Sequence, residues 1–76
     1  MMKLIFDYSK LRGKIREVCG SEKSFATGLG ISQKSVSSKL NNKSSWNADE
    51  IVKTIDLLGL KSSEIPEYFF CKKSSN

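Results

Sequence analysis

The sequence contains no histidine and only two cysteines, Cys19 and Cys71. Without histidine or a Cys-x-x-Cys pair, it lacks the ligand clusters typical of zinc sites and the most common general base of enzymes. Two cysteines do not make a disulfide framework, so we expect both to be free thiols in a reducing compartment. These absences predict a protein that is not an enzyme and that uses no metal or other cofactor.

Long apolar runs are also missing. No stretch approaches the roughly 18 apolar residues that a membrane span requires. The N-terminal run MMKLIF is too short for a signal peptide, and no small-residue cleavage site follows it. We therefore expect a cytoplasmic protein that does not associate with membranes. Its 76 residues suffice for one small domain over residues 1–76.

The charge is unevenly distributed along the chain. The net charge is +5, but residues 1–43 carry +6 and residues 44–76 carry −1. A concentrated positive charge favours a phosphate-rich partner such as nucleic acid, although a solvated lysine-rich surface explains the same charge equally well.

The stretch Ser21–Asn41 predicts two short helices joined by a tight turn. Gly30 permits the left-handed backbone of the turn, and Ala26, four residues earlier, lets the second helix approach closely. Val36, six residues after Gly30, fills the angle between the helices. This is the helix-turn-helix arrangement, in which the second helix is offered to the DNA major groove.

The flanking segments predict further helices. Apolar residues recur at helical spacing from Tyr8 to Val18, and a capping box at Asn47 and Glu50 begins a helix that runs to Gly59. A short helical turn is expected to end before Pro66, and residues 72–76 look like a frayed tail.

The residues of Ser21–Asn41 resemble the helix-turn-helix of the lambda-type phage repressor and Cro superfamily. The wider chain, with FDYSKLRGKI, LNNKSSW and EIPEYFF, resembles small Cro-like regulators of temperate phages. The resemblance implies an all-α, lambda-repressor-like domain of about five short helices in the cytoplasm of a bacterial host. The implied main function is sequence-specific binding of double-stranded operator DNA as a transcriptional repressor. The alternative is an anti-repressor that binds the partner repressor protein.

The exposed side of the second motif helix carries candidate base-reading residues. Glutamine can bond an adenine edge, lysine can reach guanine, and small serines let a helix sit deep in the groove. The predicted reading residues are Gln33, Lys34, Ser37 and Ser38. The predicted contacts to the DNA backbone are Lys23, Ser32, Asn41, Asn42 and Lys43. Two positions depart from the family pattern: Glu22 would repel a phosphate, and Lys39 stands where an apolar residue is usual.

The two ends of the chain contain its β-prone runs, Met2–Phe6 and Tyr68–Cys71. We expect them to pair as a short antiparallel ribbon laid on the helices. Its outer face, with Tyr68, Phe69 and Phe70, is a candidate contact for a second copy of the chain or for a partner repressor. Alternatively, these aromatic side chains seal the core.

Overall fold

Five short α-helices dominate residues 5–72, the part of the chain that the structure, a computed structural model, describes. They are α1 (Ser9–Cys19), α2 (Glu22–Leu29), α3 (Gln33–Leu40), α4 (Ala48–Leu58) and α5 (Ile65–Phe69). A 3₁₀ turn at Ser62–Glu64 precedes α5. The prediction of a small, mostly helical domain with about five helices is confirmed. None of these helices is long and apolar enough to cross a membrane.

Local hydrogen bonds determine where the helices begin and end. The hydroxyl groups of Ser21 and Ser32 each accept a hydrogen bond from the backbone N–H three residues later, which caps α2 and α3. Asn47 and Glu50 form the predicted capping box, with bonds of 2.8 and 3.0 Å. Gly30 ends α2 with φ of 78°, in the left-handed region that favours glycine.

The hydrophobic core draws side chains from all five helices and from Tyr8, which precedes α1. Its buried members are Tyr8, Leu11, Ile15, Phe25, Ala26, Leu29, Val36, Leu40, Leu58, Tyr68 and Phe69. Gly28 lets α4 approach α2, because a Cβ at that position would lie 2.7 Å from Cδ2 of Leu57. Thr54 is also fully buried, and its hydroxyl donates to the carbonyl of Glu50 at 2.7 Å. The inner face of α4 is therefore tightly packed.

The predicted terminal ribbon is wrong for the residues that the structure describes. Tyr68 and Phe69 lie in α5 and are only 8% and 1% exposed. A single antiparallel bridge joins Phe6 to Lys72, and the backbone N–H of Asp7 donates to the carbonyl of Cys71 at 2.7 Å. The described residues contain no sheet, because burying two aromatic rings in the core outweighs their β propensity. Residues 2–4 of the predicted strand and 73–76 of the predicted tail lie outside the described residues.

The short helical turn that was expected to end before Pro66 is the 3₁₀ turn at Ser62–Glu64, and the sequence did not predict that α5 would follow it directly and include Pro66. Pro66 occupies the first turn of α5, where a backbone N–H has no partner within the helix and the fixed φ of proline is already helical. Helix α5 places Tyr68 and Phe69 in the core.

Gly13 offers a direct test of helix propensity. It lies inside α1, and a Cβ added there would meet nothing within 4 Å outside the helix backbone near it. We expect Gly13→Ala to raise the free energy of unfolding by about 1 kcal/mol, because alanine is the better helix former. Urea denaturation followed by circular dichroism measures the change.

Gly20→Ala is the matched control, because Gly20 has φ of 86° and an alanine there would be strained. This second variant should be less stable than the wild type. If Gly13→Ala left the free energy of unfolding unchanged or lowered it, Gly13 would have a packing role that its surroundings in the structure do not show.

Candidate functional site

The predicted pair of helices around Gly30 is present. Ala26 and Val36 are 2% and 0% exposed, so they fill the space between α2 and α3 as the spacing predicted. Ile31 packs against the core, and its backbone N–H donates to the carbonyl of Ala26 at 3.1 Å. This turn determines which side of α3 faces outward.

The four predicted reading residues lie on α3, but they do not line one common depression. Gln33 is exposed and lines a depression of about 300 Å³ together with Arg16 and Glu22. Lys34 and Ser38 line a second one, of about 280 Å³, near the loop that follows α3. Ser37 is half-buried, and its carbonyl accepts a hydrogen bond from the side chain of Asn41 at 2.9 Å.

The predicted DNA-backbone contacts fall into two groups. Lys23 and Lys43 are exposed, and neither ammonium group forms an ion pair with another residue of the range 5–72. Ser32, Asn41 and Asn42 instead form hydrogen bonds within the protein. The predicted DNA roles of all these residues stay predictions.

Asn42 holds the N-terminal segment against the end of α3. Its side-chain carbonyl accepts from the backbone N–H of Phe6, and its amide donates to the carbonyl of Phe6, both at 3.0 Å. Its φ of 62° lies in the left-handed region, which asparagine tolerates better than most residues. Both hydrogen-bonding ends of this side chain are therefore occupied.

Arg12 joins three helices, and the sequence analysis missed it. Its guanidinium group donates to the carboxylate of Glu22 at 3.0 Å and to the carbonyl of Leu40 at 3.1 Å. It also donates to the side-chain oxygen of Asn41 at 3.0 Å. The charge of Glu22 at the start of α2 is thus paired. No local pattern indicated this contact, because its partners are distant in sequence.

Lys39, the second departure from the family pattern, is also paired. Its ammonium group lies 3.1 Å from the carboxylate of Glu50 and donates to the carbonyl of Ser45 at 2.9 Å. The side chains of Lys39 and Glu50 are only 12% and 14% exposed. The ammonium group also lies 5.9 Å from the ring centre of Trp46, within reach of a cation–π interaction. The ion pair of Lys39 with Glu50 therefore connects α3 to α4.

Two titratable groups on α1 have raised pKa values. Burial raises the pKa of the Cys19 thiol, which lowers the fraction of reactive thiolate. The hydrogen bond to Glu67 raises the pKa of Lys10 and keeps it charged. Within residues 5–72, no three His, Cys, Asp or Glu side chains are grouped so that they could hold a metal ion.

The aromatic segment at the C-terminal end divides between core and surface. Tyr68 and Phe69 belong to the core, so the prediction that they form a partner surface is wrong for these two residues. Phe70 is 51% exposed, and its ring stands edge-on to Phe6 with centroids 5.8 Å apart. Ile5 is 47% exposed, so some apolar surface remains at this end of the molecule.

Comparisons with known proteins complete the description of the chain. A family model described as "Protein of unknown function (DUF739)" matches residues 4–72. The chain is similar to the solution structure of the modulator of repression (MOR) of the temperate bacteriophage TP901-1 from Lactococcus lactis. The two are 49% identical, the match covers 86% of this chain and 88% of that one, and the TM-score is 0.76. No curated protein matches the chain.

This likeness corrects the main functional prediction. Sequence-specific operator binding as a Cro-like repressor is contradicted, because the similar structure is that of a modulator of repression. The finding favours the alternative, an anti-repressor. The helix-turn-helix spacing and the basic charge led to the DNA prediction, but neither feature identifies a partner by itself.

The two hydrogen bonds of Asn42 can be tested through stability. Asn42→Ala removes both bonds and places an alanine in a left-handed conformation, so we expect a loss of about 1–3 kcal/mol in the free energy of unfolding. Asn42→Gly also removes the bonds but relieves the backbone strain, so it should lie between the alanine variant and the wild type. Denaturant titrations monitored by tryptophan fluorescence measure all three proteins.

Lys43→Ala is the neighbouring control, and its stability should stay within about 0.5 kcal/mol of the wild type because the side chain is exposed. If Asn42→Ala were as stable as the wild type, the bonds to Phe6 would not contribute to the fold.

Proposed function

This chain belongs to the DUF739 family, and we propose that it is a phage modulator of repression that acts as an anti-repressor. In this proposal, the protein binds the repressor protein of its own genetic switch and changes the affinity of that repressor for its operators. The observation that carries the proposal is the likeness to the modulator of repression of phage TP901-1, which extends over most of both chains.

Contacts inside the protein support a protein partner over an operator. Asn41 and Asn42 follow α3, where polar side chains could reach a DNA backbone, but both are hydrogen-bonded within the domain. Arg12 is likewise occupied by Glu22 and the end of α3. Arg12, Asn41 and Asn42 therefore stabilise the domain itself.

The proposal treats the chain as one non-catalytic domain in which α2 and α3 keep a helix-turn-helix arrangement. That arrangement provides a rigid scaffold, and the chemistry of the exposed side chains selects the partner. The buried Ala26 and Val36 support this role, because they maintain the angle between α2 and α3 without using the outward side of α3.

Linkage describes how such a protein can modulate repression. If it binds operator-free repressor more tightly than operator-bound repressor, it weakens operator binding by the ratio of the two affinities. If it prefers the operator-bound form, it strengthens repression by the same rule. Either effect requires a difference between the two affinities, because equal affinity for both forms shifts nothing.

Fluorescence anisotropy with labelled operator DNA tests the proposal. The repressor of the same genetic switch is titrated into its operator with and without this protein. We expect the apparent operator affinity of the repressor to shift by roughly 5- to 150-fold, the usual range of coupling between two ligands. The protein alone should bind the operator and a scrambled duplex equally weakly.

The control experiment uses the reciprocity of coupling: two ligands of one protein change each other's affinity by the same factor. Calorimetry should show that operator DNA changes the affinity between this protein and the repressor by the same factor. An unchanged repressor affinity would contradict the proposal, as would tight binding of the operator by the protein alone.

A further inference from the structure

The charged residues between positions 23 and 48 all have the same sign. This stretch contains the four lysines Lys23, Lys34, Lys39 and Lys43, and it contains no aspartate or glutamate. It covers most of α2, all of α3 and the loop that leads to α4. A positive surface is therefore expected along α3, unless acidic residues from other parts of the fold neutralise it.

A depression of about 280 Å³ beside α3 is formed by this stretch. Among the residues that the structure describes, only lysines and serines line it. Ser32, Lys34, Lys43 and Ser44 are exposed, while Lys39 and two further serines of the lining are half-buried. We call this depression the lysine–serine patch.

The acidic residues next to the stretch in the chain do not neutralise the patch. The carboxylate of Glu22 is paired with Arg12 at 3.0 Å, and that of Glu50 is paired with Lys39 at 3.1 Å. Asp49, which precedes Glu50, does not line the depression. The ion pair with Glu50 uses the charge of Lys39 only, so the other two lysines of the patch keep their positive charge.

Lys34 and Lys43 are these two lysines. Neither ammonium group forms an ion pair with another residue of the range 5–72. The backbone N–H of Lys43 donates to the carbonyl of Ser38 at 2.8 Å, which holds the loop after α3 against the helix. Both lysines border the same depression, so they can act on one surface of a partner.

We propose that the lysine–serine patch binds carboxylate groups on an acidic surface of the repressor. The inference rests on the proposed function and adds where the contact lies and which chemistry the repressor supplies. Lys34 and Lys43 attract the carboxylates, and the serine hydroxyl groups donate hydrogen bonds to them. Because no apolar residue of the described range lines the patch, it forms a charged rim that steers association, and not the buried centre of the interface.

The number of free charges favours a protein surface over a DNA backbone as the partner. A firm grip on DNA neutralises on the order of 6–10 phosphates. The patch offers two free ammonium groups, and Lys23 is the one other unpaired lysine of residues 23–48. Asn41 and Asn42, which could add contacts to a DNA backbone, are engaged within the domain. Two or three lysines are enough for the rim of a protein interface, where exposed charges set the rate and the orientation of binding.

The first test removes the two free charges of the patch. Lys34→Gln combined with Lys43→Gln should weaken binding to the purified repressor of the same genetic switch by about 2- to 30-fold, as expected for the loss of two exposed ion pairs. The double variant should also associate more slowly, and its affinity should depend less on salt. Calorimetry gives the dissociation constants, and surface plasmon resonance gives the association rates.

Lys53→Gln combined with Lys61→Gln is the matched control. Both lysines are exposed, neither forms an ion pair with another residue of the range 5–72, and neither lines the depression. Both double variants lower the net charge by the same amount, so an effect confined to the patch variant does not come from the net charge. The control should bind the repressor like the wild type, and circular dichroism confirms that both variants are folded.

The second test identifies the partner groups chemically. A water-soluble carbodiimide activates a carboxylate, a lysine amine in contact with it displaces the activating group to form an amide, and the carbodiimide leaves as a urea. Mass spectrometry of the treated complex should find Lys34 or Lys43 joined to an aspartate or glutamate of the repressor. Cross-links from Lys53 or Lys61 with none from the patch would contradict the inference.

The outcomes separate this inference from the proposed function. If the wild type binds the repressor and the patch variant binds as tightly as the control, the inference is overturned and the proposed function stands. If the wild type does not bind the repressor, both fail. If the patch variant loses weak binding to a random DNA duplex but keeps its affinity for the repressor, the patch contacts phosphate groups and the inference is again overturned.

Discussion

The indole ring of Trp46 holds together three separate parts of the chain. It contacts Phe69 of α5, Phe25 of α2 and Tyr8 before α1, with centroids 5.3, 6.4 and 6.5 Å apart and steep interplanar angles. Such edge-to-face contacts contribute about 0.5–1.5 kcal/mol each beyond the area that they bury. Because Trp46 lies in the loop between α3 and α4, the position of that loop relative to Tyr8, α2 and α5 depends on this one side chain. Lys39 beside the ring connects the same loop to α4.

This aromatic cluster also shows what the sequence could and could not predict. The helix starts at Ser21, Ser32 and Asn47 were predictable, because a cap and its partner lie three residues apart. The burial of Tyr68 and Phe69 was not predictable, because it depends on core contacts with residues far away in the chain, such as the contact between the rings of Phe69 and Trp46. A run of aromatic residues is β-prone by composition, and only its tertiary contacts decide that it is helical here.

The candidate site, like the fold, has features that the sequence predicted and features that it did not. The exposure of Gln33 and Lys34 followed from the spacing of buried residues on α3. The contacts of Arg12 and Asn42 did not follow, because their partners lie up to 36 residues away. Those contacts matter for function, since they use polar groups that a charge count assigns to a DNA partner. The functional prediction rested on the helix-turn-helix spacing and on a charge count, and neither of these shows which groups are already paired.

Most of the acidic side chains of this basic protein are engaged within the fold. Six carboxylates hold a hydrogen bond or an ion pair within the protein, and Asp49 and Asp56 on α4 hold none with another described residue. At physiological salt the Debye length is about 8 Å, so the repulsion between two positively charged proteins is largely screened at longer range. At contact, the local charges of the facing surfaces dominate. The net charge of this protein therefore does not decide by itself which partners can bind it, and the sign of a surface patch is more informative than the sign of the whole chain.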